Sequence, residues 1–260
     1  MFKDLVVWIT GASAGLGREM AIQFAQQGAV VVISARRTDK LQEVQKLMEE
    51  MGAKVLSLPC DVIDEKQIEA CVAKIIQHFG QLDIAIANAG YGIFGLIENA
   101  EAKHWRRQFD INVTGLVMTA KYTIPHLQKT KGRLVLIGSV AGYLPSPKTS
   151  AYAATKAAVR SIGSSLNIEL HGSGVSCTTI HPGFVESEIT KVDNEGVYHE
   201  EFKDPRPKNL MWPTDKAVRV MLKAIYKRKR NYVFTGHGKV LAFIGRHFPG
   251  LARRLMLKMM

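Results

Sequence analysis

The chain has 260 residues, 47% hydrophobic and 22% charged, which excludes a disordered segment and suits one large α/β domain with a substantial core. Its three cysteines, Cys60, Cys71 and Cys177, show no metal-ligand spacing and leave an odd count, so no disulfide framework and a reducing compartment are expected. The net charge of +12 is uneven: residues 1–200 hold 20 Lys/Arg against 20 Asp/Glu, and 201–260 hold 15 against 3.

Residues 4–10 read as a buried strand (Leu5-Val6-Val7-Trp8-Ile9) that starts too early to leave room for a signal peptide. No apolar run approaches the ~18 residues of a spanning helix, so the expected location is cytoplasmic. After the strand come Thr10-Gly11-Ala12-Ser13-Ala14-Gly15-Leu16-Gly17 and a helical pattern at Met20, Ile22, Phe24 and Ala25. Strand, glycine-rich turn and helix N-terminus in that order make an anion site, with backbone N–H groups and the positive helix end facing a pyrophosphate. The glycines let the turn tighten and a dinucleotide approach. Their spacing, Gly-x-x-x-Gly-x-Gly, is not the Gly-x-Gly-x-x-Gly fingerprint, and a purely structural turn is the competing reading.

Ala29 to Ala35 is the next apolar run and ends in Arg36-Arg37. An NAD site wants an acid near this strand end for the ribose 2′-hydroxyl, whereas NADP replaces it with a basic residue. The absence of an acid predicts NADP(H), with NAD the weaker choice; Arg36 is the clamp, assisted by Ser13 or Arg37. A charged helix over 38–51 leads to a third strand and Cys60-Asp61-Val62. Asp61 is placed to accept from the adenine amine beside Val62, or else to cap the helix that begins near Asp64. Leu82 to Ala87 forms a fourth strand delivering Asn88-Ala89-Gly90, small residues that permit a close cofactor. A helix over 104–128 follows with Asn112 inside it, a poor helix former that signals a job or a kink.

The run Leu134 to Gly138 is a fifth strand, and Ser139 at its carboxyl end faces the cleft of an open α/β sheet. Tyr152 and Lys156, four apart in an alanine-rich helix, project from one face. A fixed ammonium beside the phenol is expected to stabilise phenolate, so the three could polarise and protonate a carbonyl while hydride arrives at carbon. A sixth strand over 175–180 ends in His181-Pro182-Gly183-Phe184-Val185. Residues 186–213 read as a mobile lid over the site, and helix 214–228 with strand 232–235 completes the alternation. The crossovers imply a parallel, doubly wound sheet with helices on both faces.

This series resembles the short-chain dehydrogenase/reductase family over nearly residues 4–236: Thr-Gly-x-x-x-Gly-x-Gly at 10–17, Asn88-Ala89-Gly90, Asn112, Ser139, Tyr152-x-x-x-Lys156 and Pro182-Gly183. The resemblance implies a Rossmann-type sheet of seven mostly parallel strands in order 3-2-1-4-5-6-7. It also implies a catalytic tetrad of Asn112, Ser139, Tyr152 and Lys156. Tyr152 would be the acid/base, Lys156 would also hold the nicotinamide ribose, Ser139 would orient the substrate oxygen, and Asn112 would anchor a water. Val185 would meet the carboxamide, and Ser187 stands where the family often has threonine. Some NADP-dependent members carry a basic residue where this chain has Ala14, so the phosphate preference rests on Arg36 and Arg37. Dimers or tetramers are common in such proteins.

The expected substrate is a hydrophobic ketone or aldehyde, because the cleft candidates Phe94, Tyr143, Leu144, Pro145, Tyr198, Phe202, Met211 and Trp212 are apolar. NAD-linked alcohol oxidation and a non-catalytic dinucleotide sensor are the alternatives. No metal site and no nucleic-acid module are expected. Residues 1–236 form the catalytic domain, and 237–260 an extension in which Val240, Leu241, Phe243, Ile244, Phe248, Leu251, Leu255, Met256 and Met259 alternate with Lys239, Arg246, Arg253, Arg254 and Lys258. This tail is expected to pack on the body or a second subunit, or to lie on an anionic membrane.

Overall fold

The apolar runs become seven strands in the computed structural model, which describes residues 1–144 and 146–258; Pro145 and Met259, singled out above, lie outside the described residues. The strands are β1 (Val6–Thr10), β2 (Val30–Ser34), β3 (Val55–Ser57), β4 (Ile84–Ala87), β5 (Arg133–Ile137), β6 (Ser176–His181) and β7 (Asn231–Val233). All pair in parallel, in the order β3-β2-β1-β4-β5-β6-β7. The chain leaves β1 in one direction and β4 in the other, so the crevice at the carboxyl ends of these two neighbours is the switch point where open α/β sheets take ligands.

The helices are α1 (Gly15–Gln26), α2 (Thr38–Glu50), α3 (Glu65–Phe79), α4 (Ala102–Phe109), α5 (Gly115–Thr130), α6 (Ser150–Glu169), α7 (Thr214–Tyr226), α8 (Gly236–His247) and α9 (Pro249–Lys258). Side chains alternate across each strand. Val7, Ile9 and Ile33 therefore meet Met20, Phe24, Leu41, Met221 and Ile225 on one face, while Trp8 and Val32 meet Ile68, Ile75, Leu116 and Val159 on the other. Both faces are covered, which is why the strands read as continuous apolar runs.

Two local expectations change. The helix expected over 104–128 is α4 and α5 joined by a π-helical turn, Asp110–Thr114, with Asn112 at its centre. The cap of α3 belongs to Asp64, which accepts from the N–H groups of Lys66 and Gln67; Asp61 instead accepts from Ile63 N at 3.1 Å. The tail is folded back: Thr235 caps α8 by accepting from Gly238 N, and Ala252 is buried against Val140 and Leu144, with Leu241 and Ile244 packed on them. No helix among the described residues is long and apolar enough to cross a membrane.

Candidate active site

The glycine turn is shaped by contacts that leave no room for side chains. Asn88 donates its amide to Thr10 O at 2.9 Å and to Gly11 O at 3.1 Å, and Thr10 Oγ1 accepts from the N–H groups of Asn88 and Ala89, both at 3.1 Å. A Cβ on Gly17 would lie 2.2 Å from Gly11 O. Gly11 (φ 67°) and Gly15 (φ 52°) take the left-handed backbone that favours glycine. Helix α1 then starts at Gly15 with no side-chain cap and no acid in its first turn. Its first N–H groups and positive end are left for an anion in the cleft.

On the far side of the crevice β5 delivers Ser139, whose Oγ accepts from Ala141 N at 3.1 Å and starts the 3₁₀ turn Val140–Tyr143. Gly142 lets that turn press on α6, since a Cβ there would be 2.6 Å from Lys156 O. One face of α6 then carries Tyr152 and Lys156 into the crevice. Lys156 is 5% exposed; its Nζ donates to Ile137 O at 2.8 Å and stands 5.7 Å from the centre of the Tyr152 ring. Asn112, wholly inside, accepts from Tyr91 N at 3.0 Å and donates to Tyr91 O at 2.9 Å and Thr155 Oγ1 at 3.2 Å. Thr155 Oγ1 donates to Tyr152 O at 2.8 Å. The π turn thus locks the segment after β4 to the very turn of α6 that presents the phenol.

The electrostatics depart from the sequence expectation of an acidified phenol. Tyr152 keeps only part of its surface open, and burial raises its pKa, opposed by a hydrogen bond with Ser139 and by the charge of Arg206. Burial also lowers Lys156 to about 8. The ammonium is engaged by a carbonyl on the strand rather than by the phenol, so the geometry favours a protonated tyrosine, a donor. His181 beneath Ser139 is fully buried, with Nδ1 3.4 Å from Ser139 O; burial lowers it to about 4, which keeps it neutral.

One cavity of about 580 Å³ joins these parts. It is lined by Gly11, Ser13, Ala14, Gly15, Leu16 and Gly17, by Arg36 and Arg37 after β2, and by Asp61 and Val62 after β3. Asn88, Ala89 and Gly90 after β4, Ser139, Tyr152 and Lys156, and Pro182, Gly183, Val185 and Ser187 after β6 also line it. Asn112 supports this lining from below. The cradle, the uncapped helix and the paired arginines fit an extended dinucleotide.

The family model for short chain dehydrogenases matches residues 5–197. The chain belongs to that family. Among similar dehydrogenases, the mouse (Mus musculus) dehydrogenase/reductase SDR family member 7 is 30% identical, over 98% of this chain and 78% of its own length. An 11-beta-hydroxysteroid dehydrogenase of Pinus massoniana is 38% identical over 72% of this chain, a match that spans only 52% of the pine protein. Two solved dehydrogenases share the fold. A short chain dehydrogenase/reductase from Burkholderia phymatum in complex with NAD has TM-score 0.80 and 25% identity, covering 88% of each chain. An alcohol dehydrogenase from Thermococcus sibiricus complexed with 5-hydroxy-NADP has TM-score 0.73 and 28% identity, covering 85% of this chain and 91% of the other. The family binds nicotinamide dinucleotides, and each of these two neighbours is in complex with one or with a derivative of one.

The substrate side needs correction. Tyr143 does not line the crevice: its hydroxyl pairs with the Asn231 side chain at the edge strand, its ring stands edge-on to His181, and Arg160 covers it. The tail draws it there, because Gly245 packs on the Tyr143 carbonyl, and Leu144 is buried in the same contact. Trp212 is also outside, its ring tilted against Phe234 with Lys216 over it. The hydrogen bonds of its backbone to Phe184 and Glu186 turn the indole toward β7. Phe94 is near the chemistry: a Cβ on Gly92 would be 3.0 Å from Phe94 Cζ and 3.4 Å from Tyr152 Cδ2. Phe94 and Phe202 line a second cavity of about 550 Å³, which shares Val192 with the first, and Tyr198 lines the first.

The segment 186–213 is tied down as a cover rather than hanging open. Asn194 exchanges two 3.0 Å hydrogen bonds with the Phe94 backbone, and Glu195 meets Lys103 and His104, each at 2.8 Å. From this cover come Glu188, Ile189 and Arg206, lining residues that sequence reasoning missed. Only the Asp-Pro-Arg-Pro string at 204–207 marked the arginine beforehand, and a string of that kind carries no chemistry until its neighbours are known.

Proposed function

We propose that this chain is an NADP(H)-dependent reductase of hydrophobic ketones or aldehydes. The observation that carries the reading is the single crevice that joins Tyr152, Ser139 and Lys156 to an uncapped helix N-terminus and an arginine pair. Tyr152 serves as the proton donor at the carbonyl oxygen, and Ser139 shares that oxygen as a second hydrogen-bond donor. Lys156 supplies positive charge beside the phenol and holds the nicotinamide ribose, while Asn112 positions Tyr152 through Thr155. When bound, the nicotinamide supplies the hydride. Gly11, Gly15, Gly17 and Ser187 hold the phosphates, Asp61 and Val62 flank the adenine, and Val185 meets the carboxamide. NADPH oxidation followed in the presence of a panel of apolar and charged carbonyls tests the proposal. Turnover of apolar members supports it, turnover of small charged members alone refutes the substrate class, and no turnover with any member favours the sensor reading.

The preference for the 2′-phosphate is supported by Arg36 and Arg37 and by the lack of an acid at the end of β2. Arg37 donates to Ser13 Oγ at 3.3 Å and faces Glu188 at 3.6 Å, whereas Arg36 is exposed with no ion-pair partner among the described residues. A charge-assisted bond to phosphate is worth ~1.5–3 kcal/mol, so Arg36→Asp is expected to lower the NADPH-to-NADH ratio of kcat/KM about tenfold or more. An unchanged ratio in steady-state kinetics removes Arg36 from the role.

The tail supports a membrane-surface location for this reductase. Its inner face packs on Val140 and Leu144, but Phe243 (58% exposed), Phe248 (52% exposed), Val240, Leu251 and Leu257 face outward. Lys239, Arg246, Arg253 and Arg254 lie among them. Apolar side chains interleaved with cations complement an anionic bilayer and not a like-charged copy of the same tail. The protein is expected to sediment with vesicles containing anionic lipid and not with neutral ones, and Phe243→Asp with Phe248→Asp to release it. Concentration-dependent dimerisation abolished by the same pair, without vesicle binding, would assign the face to a second copy.

A further inference from the structure

Arg206 lines the cofactor crevice beside the start of α1, and the other cations of that lining are engaged elsewhere or lie further off. The turn 10–17 contains no lysine or arginine; Arg37 touches it at Ser13 Oγ but faces Glu188 at 3.6 Å, Arg36 stands beyond it after β2, Arg107 donates to Glu195 O, and Lys156 is committed to Ile137 O at 2.8 Å. Arg206 lines the same cavity, with its side chain 17% exposed. Its Nη1 donates to Val185 O at 3.0 Å and its Nη2 reaches Ser187 Oγ at 3.5 Å. Ser187 in turn roofs the start of α1, because its Cβ lies 3.7 Å from where a Cβ of Gly15 would be. The guanidinium therefore leans over a helix N-terminus that has neither a cap nor an acid of its own.

Its present partner is a neighbour two residues away. Nε and Nη2 bind the Asp204 carboxylate, at 2.8 Å and 3.0 Å from Nε and at 2.6 Å from Nη2. An arginine this enclosed needs an anion, because an unpaired buried charge is costly. The carboxylate is the more exposed member of the pair, at 32%, and can turn to solvent. A diphosphate on the N-terminus of α1 would offer the same planar fork more negative charge.

We propose that Arg206 anchors the diphosphate of the bound dinucleotide, exchanging Asp204 for it and so fastening the 186–213 cover over the cofactor. The inference rests on the dinucleotide site described above and not on the preference between NADPH and NADH, since both carry the diphosphate.

Equilibrium binding of NADPH and of NADH, read from protein fluorescence without substrate, tests it on the full chain. Arg206→Gln is expected to raise the Kd of both dinucleotides by a similar factor, about tenfold or more. Asp204→Asn, which removes the competing carboxylate, is expected to leave both constants unchanged or lower them. If both variants weaken binding alike, the pair is only a structural clasp and the proposal falls. It falls as well if Arg206→Gln leaves both constants unchanged, if it weakens NADPH alone, or if it raises only the KM of a carboxylate-bearing carbonyl. Wild-type protein that binds neither dinucleotide would instead overturn the site reading itself, a separate result.

Discussion

Tyr152→Phe is expected to lower kcat for carbonyl reduction about a thousand-fold, the range for loss of a positioned general acid, while dinucleotide affinity changes little. The ring keeps its packing, Thr155 still donates to the backbone carbonyl of residue 152, and only the donated proton is lost. Turnover within tenfold of wild type in single-turnover kinetics would remove Tyr152 from the acid role. The pH profile carries a second signature. Burial raises Tyr152 and lowers Lys156 to about 8, so below that pH the phenol is protonated and the amine charged. Reduction is expected to hold on the acid side and to fall as pH rises through about 8, where Lys156 loses its charge before the phenol loses its proton. Lys156→Arg, whose charge does not titrate in this range, should move that fall upward even if the absolute rate drops.

Gly17→Ala is expected to weaken dinucleotide binding more than a hundred-fold and to cost ~1–3 kcal/mol of stability, the usual penalty for forcing atoms into a packed site. The added methyl would stand 2.2 Å from Gly11 O and 2.5 Å from Asn88 Nδ2. The first is backbone and cannot step aside, and the second is the amide that ties β4 to the turn. Displacing either opens the cradle and uncouples Asn88 from Thr10. Gly236→Ala is the control: it begins α8 with nothing within 4 Å of its Cβ position, and alanine there should be tolerated. Equal losses in the two variants, by thermal denaturation and cofactor titration, would show that the effect is not the cradle's.

Asn112 shows how a single residue can be legible as important yet not in its manner. Its presence inside a helical stretch announced a task, because its amide competes with the ladder. That the task is to open a π turn and bind Tyr91 and Thr155 depends on elements 21 and 43 residues away. Asp61 and Asp64 are a similar case. Both suit a cap, and only the path of the chain into α3 selects Asp64.

The order of strands and helices, the glycine turn, the arginine pair and the Tyr152–Lys156 face were determined by the chain alone, because periodicity, φ freedom and i,i+4 spacing act over a few residues. The tertiary structure decided the rest. It turned Tyr143 and Trp212 away from the crevice, brought Arg206 into it, and reversed the expected shift of the phenol. Those outcomes come from side-chain direction and burial, set by segments remote in sequence that meet only when the sheet is assembled and the cover and tail fold over it.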